Sequence, residues 1–203
     1  MKRVMLMYSG GVESTAAACY AIEKGYNLSL VHVVHNTNSK KELSACQMIA
    51  WKHISKHVKV YPVWLNKATF DNTFKKAHND KAIWLGAAIA VAPRGEFDEV
   101  WHGMCNEDKS KGGNQLMLDM EKGWDELAKI TGIKTKLKPS PLHHMSKLEQ
   151  YMTLTPKCRE SIIYCAQFPK GPMNTPCGTC SKCREFKKYV TDRMEHRDVE
   201  EEG

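Results

Sequence analysis

Short apolar runs alternate with longer amphipathic segments along most of the chain. The short runs are too brief for helices and predict buried strands, and Leu28–Val34 is also rich in β-branched residues. They are Val4–Tyr8, Leu28–Val34, Val58–Leu65 and Glu99–Gly103, with strand-like residues again in Thr135–Leu142. Segments with apolar residues at helical spacing predict helices. They are Glu13–Lys24, Lys41–Lys56, Ala82–Val91, Leu116–Thr131 and a short helix at Ser146–Met152.

This alternation of strands and helices predicts the fold class. We expect an α/β protein with a Rossmann-like parallel sheet and helices on both faces. Ligands of such sheets bind at the carboxyl ends of the strands. Two segments fall there: Ser9-Gly10-Gly11 after the first strand and His102–Asp108 after the fourth. The pattern ends near Pro156, so we expect an α/β domain over residues 1–155 and a small cysteine-rich lobe with a C-terminal helix over residues 156–203.

Charge adds a hint about partners. The chain of 203 residues has a net charge of +7, and its last ten residues carry five acids against one arginine, which leaves +11 on the rest. A basic body favours anionic partners such as nucleotides or nucleic acid, although a lysine-rich surface that keeps the protein soluble explains the same charge. No apolar run is as long as a membrane span and the start lacks a signal-peptide pattern, so we expect a cytoplasmic protein.

The glycine pair after the first strand is a candidate phosphate-binding loop. Gly10 and Gly11 allow a tight turn and a close approach of the backbone to a ligand. The helix that follows presents free N–H groups and its positive end to an anion. Ser9, Ser14 and Thr15 place hydroxyl groups around the same point. A plain strand-to-helix turn with a serine cap is the alternative, and neither GxxxxGK[ST] nor GxGxxG occurs at this loop.

The cysteines indicate a metal site near the carboxyl end. Of eight cysteines, four crowd into the spacing Cys165-x11-Cys177-x2-Cys180-x2-Cys183. Four thiolates at such spacing satisfy one tetrahedral Zn²⁺, while an iron–sulfur cluster is the competing interpretation. Cys158 is an alternative to Cys165 as the fourth ligand. A zinc ion closed by four thiolates has no open position for chemistry, so its role would be structural and catalysis would lie elsewhere.

The glycine segment "SGGVES" resembles the SGGxDS loop of the PP-loop ATP pyrophosphatases, which cleave ATP between its α- and β-phosphates. The resemblance implies that the ATP-binding residues are Ser9, Gly10, Gly11, Glu13, Ser14 and Thr15. Glu13 stands where the family has an aspartate, which keeps the charge and lengthens the side chain by one methylene.

The loop and the cysteines together resemble the 7-cyano-7-deazaguanine synthase family of 7-deazapurine (queuosine-type) biosynthesis, of which this chain looks like a short divergent member. "WHGMCNEDKS" resembles the family's GxNxxDxS loop at Gly103, Asn106, Asp108 and Ser110. "SPLHHMSKLEQY" resembles its PL-x3-[ST]K-x-E element at Pro141, Leu142, Ser146, Lys147 and Glu149. The implied fold is the sheet of the adenine-nucleotide alpha-hydrolase type with a small C-terminal zinc-binding lobe.

The resemblance also implies a reaction. Family members convert 7-carboxy-7-deazaguanine with ammonia and ATP into the amide and then the nitrile, through an adenylated carboxylate. We expect Lys147 as the phosphate-side cation and Asp108 as a contact to substrate or metal, both matched by motif. The implied cofactors are ATP, Mg²⁺ on the pyrophosphate and Zn²⁺ in the lobe. The implied partners are the 7-deazapurine carboxylate and ammonia, with no membrane partner and with nucleic acid and a homodimer left open.

Several family features are missing on the substrate side. A Tyr-Gly-Gln-x-His-like stretch is replaced by "HNTNSKKE", which keeps only His35, an Arg-Asn pair by "HNDKAIW" around Asn79, Asp80 and Lys81, and a Tyr-Pro-Asp-Cys-Arg stretch by "KGGNQ". An enzyme that stops at the amide or uses another carboxylate is therefore one alternative. A PP-loop tRNA thiolation enzyme is a second alternative. A zinc-ribbon nucleic-acid-binding module without enzymatic activity is the third.

Overall fold

Five parallel strands form the centre of the molecule. The computed structural model describes residues 1–34, 37–64, 80–95, 97–105, 114–165 and 176–195. The strands are β1 (Arg3–Met7), β2 (Asn27–Val34), β3 (Val60–Trp64), β4 (Glu99–His102) and β5 (Lys136–Pro139). They pair in the order β3-β2-β1-β4-β5, every pair parallel. Each strand lies within or beside a segment that the hydrophobic pattern predicts to be extended.

Helices follow the strands along the chain. They are α1 (Val12–Glu23), α2 (Thr37–Ile49), α3 (Asp80–Gly95), α4 (Asn114–Thr131), α5 (Lys147–Thr153), α6 (Pro156–Ser161) and α7 (Ser181–Phe186). π-Helical turns continue α2 over Ala50–Ile54 and α7 over Lys187–Thr191. Among the described helices, none is long and apolar enough to cross a membrane. Helices α6 and α7 lie from Pro156 onward, where the alternation of strands and helices ends and the sequence predicts only a C-terminal helix.

The central strand is buried on both faces, as expected for a parallel sheet between two helical layers. On one face, Val4 and Leu6 of β1 pack against the alanines of α1 and against α2. On the other face, Met5 and Met7 pack against α3 and α4, whose Trp124 is fully buried. The alternation of β1 side chains between the two layers explains why this strand is apolar throughout.

The strand order changes direction at β1. Chain connections run from β1 outward through β2 to β3, and then return to the opposite side of β1 for β4 and β5. The carboxyl ends of β1 and β4 therefore border a crevice, the usual position of a ligand in an open parallel sheet. The Ser9–Gly11 segment and Gly103 lie at this point.

The carboxyl-terminal part of the described chain packs against the helix that follows the glycine loop. Val12 and Ala16 of α1 form a small core cluster with Leu154, Cys158 and Ile162. Tyr164 and Phe186 pack at the border of this cluster, with their rings stacked at a centroid distance of 4.0 Å. The described residues from Pro156 onward, called the tail below, thus pack next to the start of α1.

Candidate nucleotide site and metal centre

The loop between β1 and α1 depends on a glycine at its first turn. Gly10 has φ +73°, a left-handed conformation that side chains rarely adopt. A Cβ atom at this position would also lie 2.6 Å from Cδ1 of Ile163 and 3.0 Å from Sγ of Cys46. Residues of α2 and of the tail therefore pack against this side of the loop, where a side chain at position 10 would clash with them.

The first turn of α1 points its backbone toward the loop. Gly11 is the N-cap residue, and no side chain in the described part of the chain caps the helix. The N–H groups at the start of a helix have no intrahelical partner, and together with the helix dipole they attract an anion. Glu13 also lies in this first turn, so a carboxylate stands beside an otherwise anion-binding helix end.

Two of the three predicted hydroxyl groups lie at the loop. The Oγ atoms of Ser9 and Ser14 are 3.2 Å apart, and Ser14 donates to the carbonyl of Gly11 at 3.3 Å. Thr15 instead is completely buried, and its Oγ1 lies 3.3 Å from the Tyr8 hydroxyl inside the core. Ser9 and Ser14 thus lie at the loop, and phosphate contact by all three hydroxyl groups stays a prediction.

Lys147 lies beside the loop, with a side chain that is only 9% exposed. Its Nζ atom lies 2.7 Å from Oε1 of Glu13 and 2.6 Å from Oε1 of Glu185, which α7 carries. Burial alone would lower the pKa of Lys147, but the two carboxylates outweigh burial and raise it. The ammonium therefore stays charged at neutral pH and joins α1 to the cysteine-rich tail.

Lys147 owes its position to the cap of its own helix. Ser146 is the N-cap of α5, and its Oγ accepts from the Glu149 backbone N–H at 3.2 Å. The Glu149 carboxylate accepts in return from the Ser146 backbone N–H at 2.6 Å. This capping box places Lys147 at the first helical position. Two residues matched by the family motif thus serve to orient the third.

The end of β4 packs closely against the first turn of α1. A Cβ atom on Gly103 would lie 3.2 Å from the Ser14 backbone nitrogen, so a glycine here allows β4 to approach α1 closely. A cleft of about 320 Å³ opens beside this contact, and its lining includes the polar residues Ser9, Glu13 and Lys147 and the apolar residues Trp84, Met104 and Met120. A larger depression of about 550 Å³ between α4 and β5 contains none of the motif residues.

The four clustered cysteines come together in space. The Sγ atoms of Cys165, Cys177, Cys180 and Cys183 all lie within 4.8 Å of one another. Tetrahedral zinc with bonds of about 2.3 Å holds its sulfur ligands about 3.8 Å apart. The Cys177 and Cys183 sulfur atoms are 3.9 Å apart. The donor set and its spacing therefore fit a zinc ion.

The backbone around these cysteines favours a thiolate at Cys177. The Cys180 N–H donates to the Cys177 sulfur at 3.3 Å, and the Cys183 N–H donates to the Cys180 sulfur at 3.4 Å. The donation from Cys180 is the main cause that lowers the pKa of Cys177 to about 6. Gly178, at φ +73°, provides the turn between them. Cys158 is buried in the α1 cluster instead, so the geometry favours Cys165 as fourth ligand.

Other motif residues cannot be placed. Asp108, the second expected catalytic residue, and its neighbours Asn106 and Ser110 lie outside the described residues. His35, Asn79 and Leu65 lie outside them as well. The role expected for Asp108 therefore stays a prediction.

Two residues of the site could not be predicted from the sequence. Glu185 and Ile163 belong to no recognised motif, yet one pairs with Lys147 and the other contacts Gly10. Lys147 and Glu185 are 38 residues apart in the chain. Nearness to the cysteines is the one feature of the sequence that sets these two residues apart.

Comparison with known proteins supports the fold. No protein-family model matches the chain, and no curated protein matches it. The fold is similar to a solved structure, the crystal structure of a 4-thiouridine synthetase–RNA complex with bound ATP, at a TM-score of 0.53 and 16% identity. The match covers 94% of this chain and 51% of the other, so the chain spans about half the length of that structure. The predicted fold class, an α/β protein with a Rossmann-like parallel sheet, is thereby confirmed.

Proposed function

We propose that the protein is an ATP-dependent enzyme of the PP-loop type that adenylates the carboxylate of 7-carboxy-7-deazaguanine. With ammonia, the adenylated carboxylate becomes the amide, and a second ATP-dependent step gives the nitrile. The observation that carries the proposal is the Ser9–Gly11 loop at the crevice of the sheet, with the buried cation of Lys147 beside it. The similar fold of an ATP-bound structure supports the use of ATP.

The loop has the groups that triphosphate binding requires. The first backbone N–H groups of α1 and the hydroxyls of Ser9 and Ser14 are donors for phosphate oxygens. Lys147 supplies a fixed positive charge. Glu13 is the carboxylate available to Mg²⁺, which when bound would neutralise the pyrophosphate. Donors held in place before the reaction stabilise the charge that develops on the phosphates.

Adenylation solves a problem of leaving groups. A carboxylate does not lose oxide to an attacking amine. In the proposed step, a carboxylate oxygen attacks the α-phosphorus, the bond from that phosphorus to the bridging oxygen breaks, and pyrophosphate leaves. Ammonia then attacks the acyl carbon and AMP departs. The chain contributes positioning and electrostatic stabilisation to these steps, which is the role expected of a site built from hydrogen-bond donors.

The apolar side chains that line the cleft suit a planar base. Trp84, Met104 and Met120 line the cleft together with the polar loop residues, and the stacked side chains of Tyr164 and Phe186 line it as well. Aromatic and thioether side chains bind flat heterocycles through dispersion and edge contacts. In this proposal the ring of the 7-deazapurine carboxylate contacts these apolar side chains, and its carboxylate faces the glycine loop.

Product analysis tests this function. The zinc-loaded protein is incubated with 7-carboxy-7-deazaguanine, ATP and ammonium, and the products are measured by mass spectrometry. We expect AMP, pyrophosphate and the amide or the nitrile of the base. The amide alone would identify an enzyme that stops one step earlier. AMP with neither product would reject this substrate and leave an ATP-cleaving loop.

A second candidate function, tRNA thiolation, has its own supporting observation. The edge strand β3 and the preceding turn carry exposed aromatic residues, with Trp51 57%, Tyr61 47% and Trp64 58% exposed. Lys52, Lys56 and Lys59 are exposed between them, and no acid occurs in residues 50–64. Exposed aromatic and basic residues together suit single-stranded RNA. The solved structure of similar fold is an RNA complex.

RNA binding separates the two candidates. A filter-binding titration with unmodified tRNA, repeated at several salt concentrations, measures the contribution of phosphate contacts. tRNA-dependent release of AMP, with sulfur incorporated into the RNA, would favour thiolation. AMP release that requires the free base carboxylate and ignores tRNA would favour the ligase.

A further inference from the structure

Two separate stretches of the tail reach the glycine loop. The Ile163 backbone N–H donates to the Gly10 carbonyl at 3.0 Å, and the Ile163 side chain lies against Gly10. The Glu185 carboxylate lies 2.6 Å from Nζ of Lys147, which in turn pairs with Glu13 in the first turn of α1. One contact holds the backbone of the loop, and the other holds its cation.

Both contacts are adjacent to the candidate zinc ligands. Ile163 precedes Cys165 by two residues, and Glu185 follows Cys183 by two residues. Cys165 and Cys183 belong to the same cluster of sulfur atoms. One ion held by these thiolates would therefore fix both tail stretches at once, although they are far apart in the chain. The cluster itself is a set of four candidate ligands.

The Glu185 side chain has a specific effect on Lys147. Lysine is a flexible side chain with a high rotamer entropy, and a single partner does not fix its ammonium group. Two carboxylates from different elements, at 2.7 and 2.6 Å, hold Nζ between α1 and α7. The Glu185 side chain is 26% exposed and that of Glu13 is 19% exposed. Glu185 is thus the outer of the two contacts, on the side of the cysteine cluster.

We propose that Glu185 is a positioning residue for ATP binding. It lies on α7, next to the candidate metal ligands, and holds the Lys147 ammonium at the glycine loop. Metal occupancy of the cysteine cluster would then control the affinity for ATP. The inference rests on the proposed function, because it assigns the phosphates of ATP to this loop. It adds a residue outside the recognised motifs and gives the cysteine cluster a role in binding beyond the stability of the tail.

Equilibrium ATP binding without the carboxylate substrate tests this role. Four zinc-loaded proteins are compared: the unchanged chain, Glu185→Gln, Glu185→Asp and the control Glu126→Gln. Glu126 pairs with Lys129 on the exposed surface of α4, so its substitution should leave ATP affinity unchanged. We expect Glu185→Gln to weaken binding about tenfold, the size of a lost hydrogen bond to a charged group. Glu185→Asp keeps the charge and should recover most of the affinity.

Removal of zinc by a chelator tests the coupling. ATP affinity of the unchanged chain should fall, and amide hydrogen exchange in residues 9–13 should rise. The same treatment should have a smaller effect on ATP affinity in Glu185→Gln, since that variant has already lost the contact. Equal effects of zinc removal in the two proteins would overturn the coupling.

Three outcomes separate the inference from the function on which it rests. Unchanged ATP affinity in zinc-loaded Glu185→Gln would overturn the positioning role and leave the proposed function intact. Tighter binding would also overturn it, because it would mean that the carboxylate competes with phosphate for Lys147. Absence of ATP binding by the unchanged zinc-loaded chain would reject the proposed function and the inference together.

Discussion

Gly10 shows how much of the loop geometry depends on one residue. Its backbone is left-handed, and the space where a side chain would begin is occupied by Ile163 and Cys46. Gly25, at the end of α1, has almost the same φ of +70° but open space around it. A substitution at Gly25 therefore measures the cost of the left-handed backbone alone, and one at Gly10 measures that cost together with the cost of close packing.

We expect Gly10→Ala to be more harmful than Gly25→Ala. Gly25→Ala should cost about 1 kcal/mol in the free energy of unfolding, from the left-handed conformation alone. Gly10→Ala should cost more, since Ile163 must also move, and it should weaken ATP binding. Urea unfolding and an ATP titration of both variants measure these effects. Equal costs with unchanged ATP affinity would show that the contact with Ile163 is unimportant.

At the scale of elements, β4 is joined to both neighbouring strands by one carboxylate. Glu99 lies 2.6 Å from Nζ of Lys2, next to β1, and 2.7 Å from Nζ of Lys138 on β5, and it accepts from Nε1 of Trp101 at 2.8 Å. Burial raises the pKa of Glu99, but these donors outweigh burial and lower it to about 2. The strand that carries Gly103 to the loop is thus fixed by a pH-dependent contact.

The pH dependence of stability follows from the direction of this shift. Because the folded pKa lies below the unfolded value, the Glu99 carboxylate stabilises the fold above about pH 4.5 and this contribution is lost as pH falls toward about 2. Glu99→Gln should lose about 2 kcal/mol at neutral pH and show a weaker acid dependence over that range. Unfolding free energies of both proteins from pH 7 to pH 3 measure this difference. Parallel curves would contradict it.

The four cysteines of the cysteine-rich lobe give a second prediction at the scale of elements. Cys165→Ser should lose the bound zinc and lower the melting temperature, because three thiolates do not close a tetrahedral site. Cys158→Ser should retain one zinc ion per chain although it perturbs a buried position. Metal content measured on purified protein decides between them. Zinc lost in Cys158→Ser and retained in Cys165→Ser would reverse the ligand assignment.

At the scale of the whole molecule, the fold could be predicted from the sequence and parts of the site could not. Apolar runs such as Val4–Tyr8 report burial on both faces of a parallel sheet, so strand positions and fold class follow from local pattern. The direction of the Thr15 side chain depends on Tyr8 across the core. The pairing of Glu185 with Lys147 depends on how the tail folds back. Such contacts arise from tertiary packing, which no local motif records.

The position at which ATP is cleaved tests the central claim most directly. Turnover of ATP by the zinc-loaded protein is measured with and without 7-carboxy-7-deazaguanine, and the nucleotide and phosphate products are identified. The account predicts AMP and pyrophosphate in equal amounts, dependent on the carboxylate and lost in Gly10→Ala. ADP and inorganic phosphate, or AMP formation that persists in Gly10→Ala, would contradict an adenylating loop at Ser9–Gly11.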